Sequence, residues 1–314
     1  MLNIISKSVY SKKSRGPQKV VNNLILGLEK IKYPYVINKR PKYCKNIWIH
    51  DDISYLKRIN KKNINNKVII GPNLFVNPEN IPVNLDLSKY VYLQPSEVVK
   101  KIWIKRGYRN NLMVWPVGID TEQFDEKKLK EKNQVLVYYK KRDRKELENI
   151  KKELENKNIK YSIIEYGKYR QEDFLKQIIN SKYIIWLGCY ESQGIALEEV
   201  MCLNVPLLVI DNQIPNNSYD IDSTSAPYFD ENCGIKIKNY KDFHEKLDFM
   251  ENNWKSFRPR EFIIKNLSIE KQASDFIKLL DKDEKINKND AFDFIQDIRN
   301  SFVKLEMKIK DIKK

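Results

Sequence analysis

No run of about 18 apolar residues occurs in this 314-residue chain, so no membrane-spanning helix is expected. Its first residues, Met1–Lys7, are too short and too strand-like for a secretory signal. The four cysteines, Cys44, Cys189, Cys202 and Cys233, show no CxxC spacing, and there are only two histidines. Neither a zinc site nor a disulfide framework is expected from so few ligands, and buried free thiols in a reducing cytoplasm are. Acidic residues are scarce in one half only. Residues 1–122 hold 22 Lys+Arg and 8 Asp+Glu (22 − 8 = +14), against 36 and 34 (36 − 34 = +2) over 123–314. A lysine-rich composition by itself would act on both halves. A basic first half attracts anions: lipid head groups, phosphorylated acceptors or nucleic acid. Nucleic acid is the weakest of these, because interleaved aromatics at RNA-binding spacing and known DNA-binding modules are both missing. Asp220-x-Asp222 resembles a metal-binding DxD only superficially, lying in a polar loop, so no metal is expected.

A hydrophobic content of 41% supports a real core, and the length suits two domains of about 120–160 residues. Strand-like runs at 2–9, 35–37, 47–49 and 68–70 alternate with helical patterns at 17–31 and 53–59, which argues for a parallel, doubly wound sheet. Residues 72–86, rich in Asn and Pro, read as an irregular loop. Alternation resumes with strands at 135–139 and 161–166, helices at 146–156 and 171–179, and a strand at 234–237. Helices are expected at 241–252 and 269–280. A tail from 281 carries Phe292, Ile295, Ile298, Phe302, Leu305 and Ile309 at helical spacing. Expected bounds are 1–122 and 123–280 for two Rossmann-like domains joined near Gly118–Asp125, with 281–314 as a helical tail packing back on the first.

The most informative stretch is 183–210. The apolar run Tyr183-Ile184-Ile185-Trp186-Leu187-Gly188 precedes Tyr190-Glu191-Ser192-Gln193-Gly194, a helix from Ile195 to Leu203, and a second strand over 205–210. Seven residues separate Glu191 from Glu199. Polar groups thus lie at a strand's carboxyl end, where open α/β sheets bind ligands. Free amides at the helix start favour a diphosphate, and each carboxylate accepts hydrogen bonds from sugar hydroxyls. The pattern suits a nucleotide-sugar.

The segment resembles the E-x7-E motif of the family 4 retaining glycosyltransferases, which have the GT-B fold. Glu191, Gly194, Ile195, Glu199, Met201, Pro206 and Val209 fall in place; Gln193 replaces the usual aromatic. Three further segments are similar in family order: Ser14–Leu24 (the glycine loop and first helix), Val91–Val99 (a strand and "S-E-W-V" helix start) and Asn111–Phe124 (the interdomain phrase). The resemblance spans residues 14–210 and implies two Rossmann-like domains facing a central cleft.

For function it implies metal-independent transfer of a sugar, with retention, from a UDP- or GDP-sugar co-substrate to a glycan, lipid-linked or other anionic acceptor. No cofactor is implied. For the site it implies Glu191 on the sugar hydroxyls, Glu199 on the ribose, and amides of Ser192, Gln193, Gly194, Ile195 and Ala196 on sugar and phosphates. Gly16 would face the phosphates, and Lys140, Lys141 and Arg142 would neutralise them, although the usual "G-R-x-x-x-x-K-G" signature is absent. Tyr166, Gly167 and Tyr169 lie where the family's base-binding loop falls. The family's second-strand histidine is replaced by Gly71-Pro72-Asn73, which leaves His50 or Asn73 as the sugar-contacting substitute. Trp103, Trp186 and Trp254 read as core anchors. Charge alone suggests peripheral contact with an anionic membrane. Two alternatives remain open at this point: a nucleic-acid-binding or -modifying protein, and an inactive GT-B binding protein.

Overall fold

Short runs of β-branched and aromatic residues that are buried along their whole length need cover on both faces, which a parallel sheet between helices provides. The computed structural model describes residues 1–10, 16–62, 64–125, 132–211, 223–238 and 240–281. Its first six strands are β1 (Leu2–Ile5), β2 (Tyr35–Ile37), β3 (Asn46–Ile49), β4 (Lys67–Ile70), β5 (Val91–Gln94) and β6 (Leu112–Val114). They form one sheet in the order β2-β1-β3-β4-β5-β6, every pair parallel. The next five are β7 (Gln134–Tyr139), β8 (Tyr161–Glu165), β9 (Ser181–Leu187), β10 (Leu207–Ile210) and β11 (Gly234–Ile237). They form a second parallel sheet, ordered β11-β10-β9-β7-β8. The expectation of two doubly wound α/β domains is met.

Helices cover both sheets. Those of the first half are α1 (Gly16–Lys30), α2 (Ile53–Asn60) and α3 (Glu97–Lys105). Side chains of α2 and α3, among them Leu56, Ile59 and Trp103, pack with Ile47, Ile49, Ile70 and Tyr92. The second half adds α4 (Arg144–Asn156), α5 (Gln171–Ile179), α6 (Ile195–Cys202), α7 (Phe243–Asn253), α8 (Pro259–Leu267) and α9 (Ile269–Asp281). On one face of the second sheet, Phe174, Leu197, Val200 and Ile263 pack with Leu136, Ile184 and Val209. On the other, Leu147, Ile150 and Leu247 pack with Val135, Ile185 and Leu208.

Two differences from the sequence reading have local causes. The first strand stops at Ile5 rather than residue 9. Ser6 exchanges two hydrogen bonds with the Asn38 side chain, and the Lys7 and Ser8 amides donate to Asp51, which takes the backbone out of the ladder. Helix α8 was not expected; Pro259 sits in its first turn, where a missing N–H costs nothing.

The chain passes between the sheets beside its own later return. Ile119 N donates to Leu267 O at 2.7 Å, and Ile269 N to Ile119 O at 3.2 Å. A side chain at Gly118 would come within 2.5 Å of the Ile269 backbone, so this crossing needs glycine. Beyond it, α9 turns back to the first half. Trp115 Nε1 donates to Gln272 O, and Phe276 lies edge-on to both Trp48 and Trp115. The expected tail helix and Asp220-x-Asp222 lie outside the described residues. No described helix is long and apolar enough to cross a membrane.

Candidate active site

In each sheet the strand order reverses at one point, beside the sheet's first strand, and ligands of such sheets collect outside the carboxyl ends there. In the second sheet that point lies between β7 and β9. Lys140 directly follows β7, and Glu191 follows β9 by four residues. Their side chains meet, with Lys140 Nζ 2.5 Å from Glu191 Oε1, both largely buried. Burial raises the Glu191 pKa, while the Lys140 charge and hydrogen bond hold it down. The loop carrying Glu191 is anchored by its own amide, which donates to Thr224 O.

Helix α6 begins just beyond. Gly194, at φ 97°, adopts the left-handed conformation before its first turn. A side chain there would be strained by the backbone angle more than by its neighbours, the nearest of which lies at 3.7 Å. Glu199 sits further along α6, almost fully buried, and pairs with Lys19 of α1. This ion pair crosses from one half of the protein to the other. Lys19 was not singled out from the sequence. A signal was there, because a cation near a helix start with no acid in the first turn works against the helix dipole unless it has a partner elsewhere.

Tyr166 and Tyr169 close the other side. The Lys140 ammonium stands 4.4 Å from the centre of the half-exposed Tyr166 ring. Burial raises the Tyr169 pKa, and the charges of Glu199 and Glu191 add to the rise. Gly167, at φ 85°, gives the turn between the two tyrosines. Gly16 and Ser192 line the cleft between the halves, in one cavity of about 550 Å³. Lys141 is exposed at the end of β7.

Three of the expected site residues have side chains engaged within the fold. Arg142 is buried. Its Nε and Nη2 donate to Glu146, and Nη1 donates to Gly188 O and Ile210 O, so it ties the ends of β9 and β10 to α4 rather than reaching for a phosphate. His50 has no exposed surface and is absent from the cleft lining. Its Nε2 lies 2.9 Å from Pro17 O and 3.3 Å from the Asn73 amide, and burial lowers its pKa. It thus packs beneath Pro17 and Asn73, which do line the cleft. The Gln193 side chain faces inward. It accepts from Val117 N and donates to Val117 O and to Glu198 Oε2. It thereby clasps α6 to the crossing segment.

Glu198 is the second residue that sequence reasoning missed. It is wholly buried, and its Oε1 has no hydrogen-bond partner among the described residues. Burial raises its pKa well above the ordinary value of 4.5, so the folded protein keeps a proton that the unfolded chain releases. Stability is then lost as pH rises from about 4.5 towards the folded value. Glu198→Gln removes this titration. The variant's melting temperature relative to the parent is expected to climb between pH 5 and pH 8, and a constant difference by calorimetry would refute the neutral carboxyl.

The basic residues Lys39, Arg40, Lys42 and Lys45 are all exposed. They follow the connection from β2, the edge strand of the first sheet, to β3.

No family model and no curated protein matches this chain. Solved structures do. The apo form of the lipopolysaccharide outer core galactosyltransferase WaaB is similar, with TM-score 0.58 and 12% identity over 89% of this chain and 98% of that one. Sucrose-phosphate synthase from Thermosynechococcus elongatus gives 0.56 and 10% over 89% and 98%. AviGT4, a glycosyltransferase involved in avilamycin A biosynthesis, gives 0.54 and 9% over 88% and 96%. At such identities the likeness establishes the fold: two Rossmann-like domains in the GT-B arrangement.

Proposed function

We propose that this protein is a retaining, metal-independent glycosyltransferase that uses a nucleotide-diphosphate sugar. The observation that carries the reading is the pair of buried carboxylates on one strand–loop–helix unit, each matched to a lysine. In the proposed complex Glu191 accepts from donor-sugar hydroxyls and Glu199 from the ribose. Lys140, Lys141 and Lys19 offset the diphosphate charge together with the amides that open α6. Tyr166 supplies a face for the base. Residues 123–280 hold the donor, and 1–122 hold a glycan or lipid-linked acceptor. The acceptor hydroxyl attacks the anomeric carbon on the face the diphosphate leaves. The new carbon–oxygen bond forms as the old one breaks, and the hydroxyl proton passes to the departing phosphate oxygen. The cytoplasmic side of an anionic membrane suits the basic first half.

Titration of UDP and GDP by calorimetry tests the donor site. Glu199→Ala is expected to weaken nucleotide binding by about 1–3 kcal/mol, the scale of a charged hydrogen bond lost in a site. Identical titration curves for parent and variant would remove the ribose assignment. A strict need for Mn²⁺ or Mg²⁺ in turnover would remove the metal-free mechanism.

A further inference from the structure

Beside Glu191, whose neighbours Tyr190 and Ser192 line it, the cleft cavity of about 550 Å³ has a different character. Its wall in the first half is built from Leu74 and Phe75 of the loop after β4, and from Val99, Ile102 and Trp103 of α3. The second half contributes Tyr190, Ser192, Gln193 and Ile195. No charged side chain lines it among the described residues, although the first half carries a large positive surplus. The loop is held in place where Phe75 N donates to the Tyr92 hydroxyl at 3.0 Å, and the halves are joined above α3 where the Tyr228 hydroxyl donates to Pro95 O at 2.8 Å.

One polar group in this wall lacks a partner. Gln94, at the carboxyl end of β5, is only 2% exposed, and its Nε2 makes no hydrogen bond among the described residues. A buried amide N–H without an acceptor costs about 1–3 kcal/mol, which a ligand oxygen at that point recovers. Mostly apolar walls with a few convergent polar groups are what small-molecule sites require, and this volume lies in their usual range.

We propose that the acceptor carries a hydrophobic group, seated against Phe75, Val99 and Ile102, beside an oxygen that accepts from Gln94 Nε2. This rests on the glycosyl-transfer reading for the identity of the ligand as acceptor. It also places any anionic part of the acceptor away from Phe75, Val99 and Ile102, since a carboxylate or phosphate against those side chains would be desolvated without a cation.

The shared chemistry is a hydrocarbon surface, and two sources supply it, an aromatic ring or an alkyl chain. Methyl, phenyl and hexyl β-D-glucosides separate them, with the methyl compound subtracting the sugar. Binding is measured by calorimetry on the whole chain, with UDP and GDP titrated in parallel. At least one of the phenyl and hexyl compounds is expected to bind about tenfold or more tighter than the methyl one. A gain confined to phenyl assigns a ring, and one confined to hexyl a chain. Gln94→Leu is expected to lower that affinity about fivefold or more while leaving UDP and GDP binding unchanged. Ile102→Asn, a second variant, is expected to abolish the gain. Equal affinities across the series, with nucleotide binding intact, overturn the apolar acceptor site and leave the transferase reading standing. A gain that both variants leave untouched also overturns it, because the compounds then bind elsewhere. Aglycone-dependent binding without any nucleotide binding keeps the pocket and sinks the transferase reading.

Discussion

Glu191→Gln is expected to lower turnover by about 10–100-fold, with much less effect on nucleoside-diphosphate affinity. The carboxylate lies 2.5 Å from Lys140, at the switch point of the second sheet, and in the proposed complex its hydrogen bonds go to the donor sugar. Losing a charged hydrogen bond costs about 1.5–3 kcal/mol, which sets that range of rates. The substitution keeps the shape and removes the charge, so the loop anchored by the Glu191 amide on Thr224 stays in place. Steady-state release of nucleoside diphosphate gives the rate, and calorimetry gives the affinity. If both fall by the same factor, Glu191 acts on the nucleotide and the sugar assignment is wrong. Turnover equal to the parent's would take Glu191 out of the site altogether.

Arg142→Met should destabilise the fold by about 3 kcal/mol, the low end for breaking a buried ion pair, because Glu146 reaches solvent. The Arg142 side chain is 2% exposed, and its guanidinium joins Glu146, Gly188 and Ile210. Methionine fills much of the volume but leaves two carbonyls and a carboxylate without their donor. Guanidinium chloride melts measure this loss. Among the folded molecules, UDP or GDP affinity should be close to the parent's. Unchanged stability with lost nucleotide affinity would restore Arg142 as a phosphate ligand. The neighbouring Lys140 and Lys141 make a useful contrast, since neither is tied into strand ends in this way.

The difference between Arg142 and Lys140 shows where sequence reading stops. Both stand in the basic run after β7, and spacing alone treats them alike. Lys140 points to Glu191 across the sheet's switch point. Arg142 turns inward because three acceptors, contributed by residues 46 and 68 positions away and by Glu146 one helical turn on, converge on it. His50 repeats the lesson. Its place at a strand end is visible in sequence, but its complete burial under Pro17 and Asn73 depends on α1 crossing over it.

What the sequence by itself determined is the alternation of strands and helices, the count of two domains' worth of chain, and the position of Glu191 and Glu199 around a helix start. These follow from local properties: apolar runs, turn residues and seven-residue spacing act over distances the chain itself sets. Only the tertiary structure decided which charges meet. Lys19 reaches Glu199 from 180 residues away, and the apolar cavity is walled by segments that no sequence window contains together. Burial decided the rest. It turned Gln193 from a motif variant into a clasp on Val117, and it placed at Glu198 a carboxyl whose pKa burial pushes well above the ordinary value. Side-chain charge and hydrogen-bonding roles depend on desolvation by distant neighbours, and that is a property of the fold rather than of any stretch of chain.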